Sequence, residues 1–314
     1  MASLSRSTPG FEKILSHYSD PLVQSEISHF CKGRWVGIHC EALDARGRKI
    51  LIRYFRPGMP LQLAKPRDVK RLILKFSSLK PRTIYATANV YGRLGRSEDA
   101  ADPSNVEACS PTWDVDNEPG GWLATAQAVK EITSVLKSSG VKDSFFVKFS
   151  GRGAHVHIHP YAISEEVRVK FGPLNLAWAT VEYVKGKAAS KLAEIAARFK
   201  AGGLRVDNEI DRQRLFVAPL SIHREENRVA VCLNPEELGE FDPAADAKPG
   251  RFKHFEGWKA YSVGEADKLA LRAYRAVGGL TLKPRRKRRH PPLDKQILSL
   301  IARIDRPNGR ASQP

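Results

Sequence analysis

The segment 112–158 places the strongest constraint on the fold, because its apolar residues change from strand spacing to helical spacing and back again. Residues 112–116 have the character of a short buried strand, and 122–136 carries apolar residues along one helical face. Two further apolar runs, 145–149 and 154–158, flank a glycine-containing turn, which is typical of a hairpin. The segment therefore predicts a strand, a helix and a hairpin within an α/β (α+β) core.

The rest of the chain continues this alternation of helices and strands. Helical spacing or composition predicts helices at 11–30 (two helices divided at Asp20 and Pro21), 69–76, 164–200 and 265–276. Short apolar runs predict strands at 35–39, 49–55, 83–91, 204–207, 215–219 and 228–232, with a turn near Gly47 and a polar loop at 92–110. We therefore expect a mixed sheet with flanking helices.

Charge and composition define the class of protein and the kind of partner. Lysine and arginine outnumber aspartate and glutamate by 52 to 34, a net charge of +18, which favours a polyanionic partner. No apolar run reaches the roughly 20 residues of a membrane span, and the first residues lack the apolar core of a signal peptide. We expect an intracellular protein of the cytoplasm or nucleoid with no membrane partner. A solvated basic surface is the alternative explanation of the charge.

The basic excess continues into a separate C-terminal segment. We expect one large domain at 1–280, followed at 281–314 by a basic linker or tail. The run 283–290 is almost entirely lysine and arginine, and apolar residues between 297 and 304 predict a short amphipathic helix. That run suits DNA contact, an import-like signal or a flexible linker.

The four cysteines lie at positions 31, 40, 109 and 232, too scattered for a disulfide framework. A structural Zn²⁺ site from Cys31, His39, Cys40 and Cys109 is conceivable, but the cysteine spacing does not support it. Buried free thiols are the simpler expectation.

Three aspartates are candidates for metal binding. Asp114 and Asp116 are two residues apart on a predicted strand, so both project from one face. Adjacent carboxylates repel each other unless a cation neutralises them, and Mg²⁺ or Mn²⁺ binds carboxylates together with phosphate oxygens. Asp207 is the expected third ligand, which would suffice for two ions. Alternatively these acids face solvent at a strand edge, and Glu209 and Asp211 are expected to be caps or salt-bridge partners.

A glycine-rich segment, Ser150–His155, supplies candidate phosphate contacts. Its small residues permit close approach of a phosphate to backbone amides, and Ser150, Arg152 and His155 add hydrogen-bond donors. His157 and His159 alternate with His155 along the next strand, so a three-histidine metal site is an alternative. We favour phosphate binding by His155, with the other two histidines as packed neighbours.

Taken in order, WDVD at 113–116, SGRGAH at 150–155 and VDNEIDRQRLFVAPLSIH at 206–223 resemble the three motifs of the archaeo-eukaryotic primase superfamily, in particular the catalytic small subunit of archaeal DNA primase. The resemblance covers most of residues 11–235. It implies a palm with a mixed sheet, flanking helices and a helical portion between the second and third motifs. It also departs from the family pattern, since the glycine motif is one residue shorter than usual and no cysteine-rich zinc module is evident.

The resemblance also implies roles for individual residues. The metal ligands and catalytic residues would be Asp114, Asp116 and Asp207, holding two Mg²⁺ or Mn²⁺ ions. The nucleotide-binding residues would be Arg53, Ser150, Arg152, His155 and His223, with Arg214 and Ser221 shaping the pocket. The implied activity is a DNA primase-like nucleotidyltransferase that synthesises short primers from NTPs or dNTPs on single-stranded DNA template and primer, and the implied partner is a primase large subunit.

Other functions fit parts of the same pattern. A stand-alone primase-polymerase or an end-joining polymerase would keep the site and change the partner. A metal-dependent nuclease or phosphatase would release phosphate instead of incorporating nucleotides. A non-catalytic basic nucleic-acid-binding protein would not need the acids at all.

Overall fold

The structure, a computed structural model, describes residues 10–280. Within that range the α-helices are α1 (Phe11–His17), α2 (Pro21–Cys31), α3 (Pro66–Lys75), α4 (Ser97–Ala101), α5 (Trp122–Ser138), α6 (Glu165–Phe171), α7 (Pro173–Arg198) and α8 (Asp267–Val277). The strands are β1 (Val36–Leu43), β2 (Lys49–Ile52), β3 (Tyr54–Arg56), β4 (Met59–Pro60), β5 (Pro81–Thr87), β6 (Asn89–Tyr91), β7 (Val106–Cys109), β8 (Thr112–Asp116), β9 (Phe145–Phe149), β10 (Ala154–Ile158), β11 (Arg205–Asn208), β12 (Leu215–Val217), β13 (Val231–Leu233), β14 (Ala247–Lys248) and β15 (Arg251–Phe252). The basic segment 281–314 and its predicted amphipathic helix lie outside the described residues.

Two antiparallel sheets form the framework of the fold. The first has the strand order β12-β5-β1-β2, and the second has the order β11-β8-β10-β9-β13. Helices α6 and α7 lie in the chain between β10 and β11, which is the predicted helical portion between the second and third motifs. The α/β (α+β) class with flanking helices is therefore confirmed, with antiparallel rather than mixed pairing in both of these sheets.

Two predicted strands are interrupted in the structure. The prediction at 49–55 becomes β2 and β3, because β2 pairs with β1 whereas β3 leaves that sheet and pairs with β4. The prediction at 83–91 is divided at Ala88 into β5 and β6. Each half finds a different partner, which local apolar spacing does not reveal.

The expectation of an unbroken loop at 92–110 is wrong. This stretch contains α4 and also β7, which pairs with β6 through Asn89 and Cys109. The side chain of Asp99 accepts hydrogen bonds from the backbone amides of Gly95 and Arg96 and so caps the start of α4. Polar composition concealed both elements because their stability comes from capping and strand pairing rather than from an apolar run.

Strand β8 separates a packed face from a polar face. Trp113 and Val115 are fully buried, and the Trp113 indole donates a hydrogen bond to the backbone oxygen of Val181 on α7. Because side chains alternate across a strand, Asp114 and Asp116 project from the opposite face, away from α7. The packing of β8 against the helical layer thus decides where the acids lie.

No helix of residues 10–280 combines the length and the apolar character that crossing a membrane requires.

Candidate active site

A single row of residues runs across the second sheet and contains the candidate site. Strand register places Asp207 of β11 opposite Asp114 of β8, and Asp114 opposite His155 of β10. The row continues through Lys148 of β9 to Cys232 of β13. Directly opposite residues have Cβ atoms about 5 Å apart, so the two aspartates and the histidine share one face at close range.

The carboxylate of Asp114 lies near the floor of the site, with 13% of its side chain exposed. The nearest charged or titratable neighbours are His155 Nε2, 3.4 Å from Oδ1, and Arg214 Nη2, 3.4 Å from Oδ2. Burial would raise the pKa of Asp114, but the charges and hydrogen bonds of His155 and Arg214 outweigh burial and lower it. Asp114 is therefore ionised at neutral pH.

The pKa of Asp116 shifts in the opposite direction to that of Asp114. Its side chain is 49% exposed, yet its pKa is raised, first by burial and then by the negative charge of Asp114, with a smaller contribution from Asp207. The three acids are thus close enough to repel one another, and the positive charge of Arg205 offsets this only in part.

Arg205 bridges the two more exposed acids. Its guanidinium lies 3.6 Å from Asp116 Oδ2 and 4.0 Å from Asp207 Oδ2. Among the residues that the structure describes, no group of three metal-ligating side chains is closed around a common point. This also leaves the alternative three-histidine site and the Cys31–Cys109 zinc site without an assembled ligand set in that range. The acids are instead contacted by arginines, Arg205 at Asp116 and Asp207 and Arg214 at Asp114.

The glycines of the second motif allow the loop to approach its neighbours closely. Gly151 has a φ of 111°, and an added Cβ would lie 2.5 Å from the ring of His223. An added Cβ at Gly153 would collide with the backbone oxygen of Val115 on β8. Any larger residue would push Ser150 and Arg152 away from β8.

His155 is a buried imidazole. It is 6% exposed, and burial lowers its pKa even though the charge of Asp114 opposes this. Its Nδ1 atom is buried and has no hydrogen-bond partner in residues 10–280. A buried polar atom without a partner is unfavourable, so His155 retains an unused hydrogen-bonding position at the floor of the site.

His223 is a neutral imidazole, and its tautomer follows from its contacts. Its Nδ1 accepts the backbone N–H groups of Glu225 (3.3 Å) and Glu226 (3.0 Å), so its proton is on Nε2. Burial, followed by the charges of Arg152 and Arg224, lowers the pKa of His223 to about 4. The Nε2–H group remains a hydrogen-bond donor at neutral pH.

A cleft of about 260 Å³ brings most of the predicted residues together. Its lining includes the predicted residues Asp114, Asp116, Ser150, Arg152, His155, Arg214 and His223. Asp207 does not line this volume, but it lies beside Asp114 on the neighbouring strand. The cleft has an acidic end at β8 and a basic wall formed by the glycine loop and the loop that carries His223.

Two predicted nucleotide contacts lie elsewhere. Ser221 is fully buried, and its hydroxyl accepts the Ile84 backbone N–H (2.7 Å) and contacts the Tyr18 hydroxyl (3.0 Å). Ser221 thus fits a role in fixing the loop before His223 rather than direct contact with a nucleotide. Arg53 does not line the cleft either, since its guanidinium stacks over Trp35 at 3.5 Å. Arg53 and Ser221 are thus the two predicted nucleotide-site residues that the structure does not place in the lining of this cleft.

Sequence reasoning missed three residues that position the site. Arg82 is 2% exposed and donates hydrogen bonds to the backbone oxygens of His223 (2.7 Å) and Glu226 (3.0 Å). Glu225 pairs with Arg152 at 3.3 Å and lines the cleft. Lys148 is fully buried, and its Nζ donates to the Val217 backbone oxygen at 2.6 Å. Burial lowers the pKa of Lys148 to about 7. Only the cross-strand register, which is not visible before folding, gives Lys148 its place beside His155.

Comparisons with known proteins bear on the fold. No protein-family model matches the chain, and no curated protein matches it. The polymerase domain of ligase D from Mycobacterium tuberculosis, solved in complex with DNA, is 14% identical, with 86% of this chain and 90% of that chain covered and a TM-score of 0.53. The AEP domain of the primase-polymerase from cyanophage S-2L is 13% identical, with coverage of 74% and 97% and a TM-score of 0.28, too low to indicate a shared fold. The chain therefore shares its overall fold with the ligase D polymerase domain.

Proposed function

We propose that this chain is a metal-dependent nucleotidyltransferase that extends nucleic acid on a DNA template, with a site like that of the primase small subunit. The observation that carries the proposal is the row Asp207–Asp114–His155, in which Asp114 and His155 line the acidic end of a cleft whose opposite wall is basic and Asp207 lies on the adjacent strand. Acids at one end and phosphate-binding donors at the other suit a nucleoside triphosphate with its metal ions. The fold shared with a polymerase domain is consistent with this chemistry.

The chemistry of the acids fits hard divalent cations. Asp114, Asp116 and Asp207 supply oxygen ligands from two adjacent strands, and their mutual repulsion raises the pKa of Asp116 after the effect of burial. A cation would relieve that repulsion. Bound Mg²⁺ or Mn²⁺ would supply charge neutralisation and orientation of the reacting oxygens during phosphoryl transfer.

The basic wall would bind the triphosphate through hydrogen-bond donors. His223 offers its Nε2–H as a neutral donor, and Ser150 adds a hydroxyl at the turn. Arg152 pairs with Glu225 and Glu226, at 3.3 and 3.6 Å. A triphosphate would compete with these carboxylates for the guanidinium, because phosphate oxygens accept the same charge-assisted hydrogen bonds.

Two side chains would organise the acidic end. His155 holds a hydrogen-bonding position beside Asp114, and Arg214 contacts Asp114 while also pairing with Glu209. These contacts fix the orientation of the Asp114 carboxylate toward the cleft. Positioning reacting groups in advance accounts for a large part of the lowering of the activation barrier in such transfers.

The net charge of +18 gives the proposal a source of template affinity. Phosphate backbones bind basic proteins through release of counterions, with no requirement for sequence. Primer synthesis, primer extension by a stand-alone primase-polymerase and end joining would all use the same cleft. They differ in whether a primer is required and in which DNA ends are bound.

The decisive experiment measures incorporation of labelled nucleotides on single-stranded DNA with Mg²⁺ or Mn²⁺, with and without a primer. We expect the Asp114→Asn/Asp116→Asn protein to lose about a thousandfold or more in rate, because the loss of metal ligands removes several kcal/mol of transition-state stabilisation. Products without a primer would identify a primase. Products only with a primer would favour a primer-extending or end-joining polymerase.

A matched control carries the same change of charge away from the cleft. Glu165→Gln/Glu166→Gln alters two exposed acids in the first turn of α6 and should retain full incorporation. Equal incorporation by the native protein and the double aspartate variant would contradict the proposed site. Release of phosphate or degradation of DNA without incorporation would favour a nuclease or phosphatase, and DNA binding without products in any protein would favour a non-catalytic role.

A further inference from the structure

A second cavity lies at the other end of β10 from the catalytic cleft. It has a volume of about 440 Å³, within the range of about 300–1,000 Å³ typical of small-molecule sites. His159, which follows β10, lines this cavity, whereas His155 near the start of β10 lines the cleft. The rise of a strand separates these two residues by about 13 Å along the chain. The two volumes share no lining residue, so one mononucleotide cannot occupy both.

Aromatic rings form much of the wall of this cavity. Trp258 packs against Phe30 and Phe146 at centroid distances of 6.1 and 5.2 Å. Its indole N–H donates to Glu26 Oε2 at 2.5 Å, which fixes the orientation of the ring. Tyr261 stacks on His159 at 3.9 Å with an interplanar angle of 6°. Trp258, Phe30 and Phe146 are buried and support the wall, whereas Tyr261 is exposed and offers a rigid flat surface of the kind on which nucleobases stack.

The charges in the cavity select against a cationic ligand. Arg34 is 5% exposed, lines the cavity and donates through Nη1 to the backbone oxygens of Thr87 and Ala88 at 2.6 and 2.8 Å. Its Nη2 donates to the Ser110 hydroxyl at 3.0 Å, and no carboxylate within residues 10–280 forms an ion pair with it. A buried guanidinium that is bonded only to neutral groups retains an uncompensated positive charge.

Lys32 adds a second positive charge on the exposed side of the same cavity. Glu107 is the one acid in the lining, so lysine and arginine outnumber acids there. An aromatic cage for a methylated ammonium group would need the reverse balance, because two cations would repel such a ligand. The combination of flat rings with net positive charge matches a nucleobase that carries a phosphate.

We propose that this cavity is a second nucleotide-binding site, which takes either a free nucleotide or an unpaired base of a single-stranded nucleic acid. The base stacks on the exposed ring of Tyr261, and the phosphate interacts with Lys32 and with the positive charge of Arg34. The site requires no metal ion, and it is separate from the acidic row that carries the proposed catalysis. Failure of one site therefore does not imply failure of the other.

The test is calorimetric titration of the full chain in EDTA, with deoxyadenosine monophosphate in one arm and a short single-stranded deoxyoligonucleotide in the other. Chelation suppresses metal-mediated binding in the catalytic cleft. Tyr261→Ala is the main variant, because Tyr261 is 43% exposed and its loss should not disturb the core. We expect its affinity to fall by about 5- to 150-fold, the value of one base–aromatic stack. Lys32→Gln should weaken binding less than Tyr261→Ala does. Its effect should be larger at low salt, where the lysine charge is less screened.

Phe199→Ala is the matched control, because Phe199 is an exposed aromatic residue (38%) at the end of α7 outside this cavity. It should bind both probes as the native chain does, and thermal unfolding should verify that every variant is folded. An effect of Tyr261→Ala confined to the monophosphate would identify a free nucleotide as the ligand, and an effect confined to the oligonucleotide would identify a base of a strand. No binding by the native chain, or unchanged affinity of Tyr261→Ala for both probes, would overturn the proposal.

Discussion

Two carboxylates in this molecule, the buried Glu26 and the partly buried Asp114, each contact a histidine and a basic side chain, yet their surroundings differ. Glu26 is fully buried on α2 and accepts hydrogen bonds from Trp258, from Lys259 and from His254 at 3.0 Å. The His254 Nδ1 accepts the Cys232 backbone N–H at 3.0 Å, which places its proton on Nε2, toward Glu26. Among the described residues, no buried polar side-chain atom of His254, Trp258 or Lys259 lacks a hydrogen-bond partner.

The partners of Asp114 are incompletely bonded. Both His155 and Arg214 approach Asp114 only to 3.4 Å, and the buried atoms His155 Nδ1 and Arg214 Nε have no hydrogen-bond partner among the described residues. Like-charged Asp116 and Asp207 lie on the same face. A closed network such as that of Glu26 stabilises the fold, whereas an open network such as that of Asp114 leaves bonds to be made by a ligand.

The comparison predicts its largest effect on stability at Glu26. Glu26→Gln keeps the shape of the side chain but leaves Lys259, His254 and Trp258 without their charged acceptor. We expect the free energy of unfolding to fall by about 3 kcal/mol or more, measured by urea denaturation at pH 7. Activity per folded molecule should remain native, since Glu26 does not line the catalytic cleft.

Glu236→Gln provides the control for that measurement. Glu236 also pairs with a lysine, Lys137, but its side chain is 74% exposed. Solvent screens exposed ion pairs, so this variant should be nearly as stable as the native chain. Equal losses at Glu26 and Glu236 would remove the distinction between a closed buried network and a surface pair.

The same network predicts a pH dependence. Burial would raise the pKa of Glu26, but the hydrogen bonds from His254, Lys259 and Trp258 outweigh it and lower the pKa to about 2, below the ordinary value of 4.5. A lowered pKa in the folded state means that the contribution to stability is complete above about pH 4.5 and is lost as the pH falls toward 2. The stability difference between the native chain and Glu26→Gln should therefore shrink over this range in urea unfolding. A difference that is the same at pH 6 and pH 3 would contradict the closed network.

Local patterns in the sequence predicted most of the helices and strands. The division of 11–30 at Asp20 and Pro21 is confirmed, because the Asp20 side chain accepts the Leu22 and Val23 backbone N–H groups and caps α2. The helix at 122–136 and the hairpin strands 145–149 and 154–158 are also found. Capping and periodicity act within a few residues, so they are visible in the sequence alone.

In the candidate site, too, local sequence features were predictable, whereas contacts between residues distant in the chain were not. The spacing of Asp114 and Asp116 fixed their common face, and the glycines at 151 and 153 indicated a close approach. The network of Glu26 with His254 and Trp258 was not foreseen, because its members are more than 220 residues apart in the chain. Nothing local distinguishes such an acid from a solvated one, and the same is true of the buried guanidinium of Arg34.

The smallest expected effect tests the open network from the side of Asp116. Its pKa is raised by burial and by Asp114, so its ionised form is less favourable in the folded chain than in the unfolded chain. Asp116→Asn should therefore raise the free energy of unfolding at pH 7, by less than about 1 kcal/mol because the side chain is half exposed and screened by solvent. The gain should vanish at low pH, where Asp116 is protonated in both states.

Asp102→Asn is the matched control for this measurement. Asp102 is exposed and accepts hydrogen bonds from the Ser104 hydroxyl and backbone N–H, which lower its pKa. The same substitution there should decrease stability, so the two variants should shift the urea midpoint in opposite directions. Addition of Mg²⁺ should stabilise the native chain by binding to its folded state, and this response should be weaker in Asp116→Asn. A loss of stability in Asp116→Asn without metal would mean that the pair with Arg205 outweighs the repulsion among the acids, and the acidic row would then be a closed network like that of Glu26.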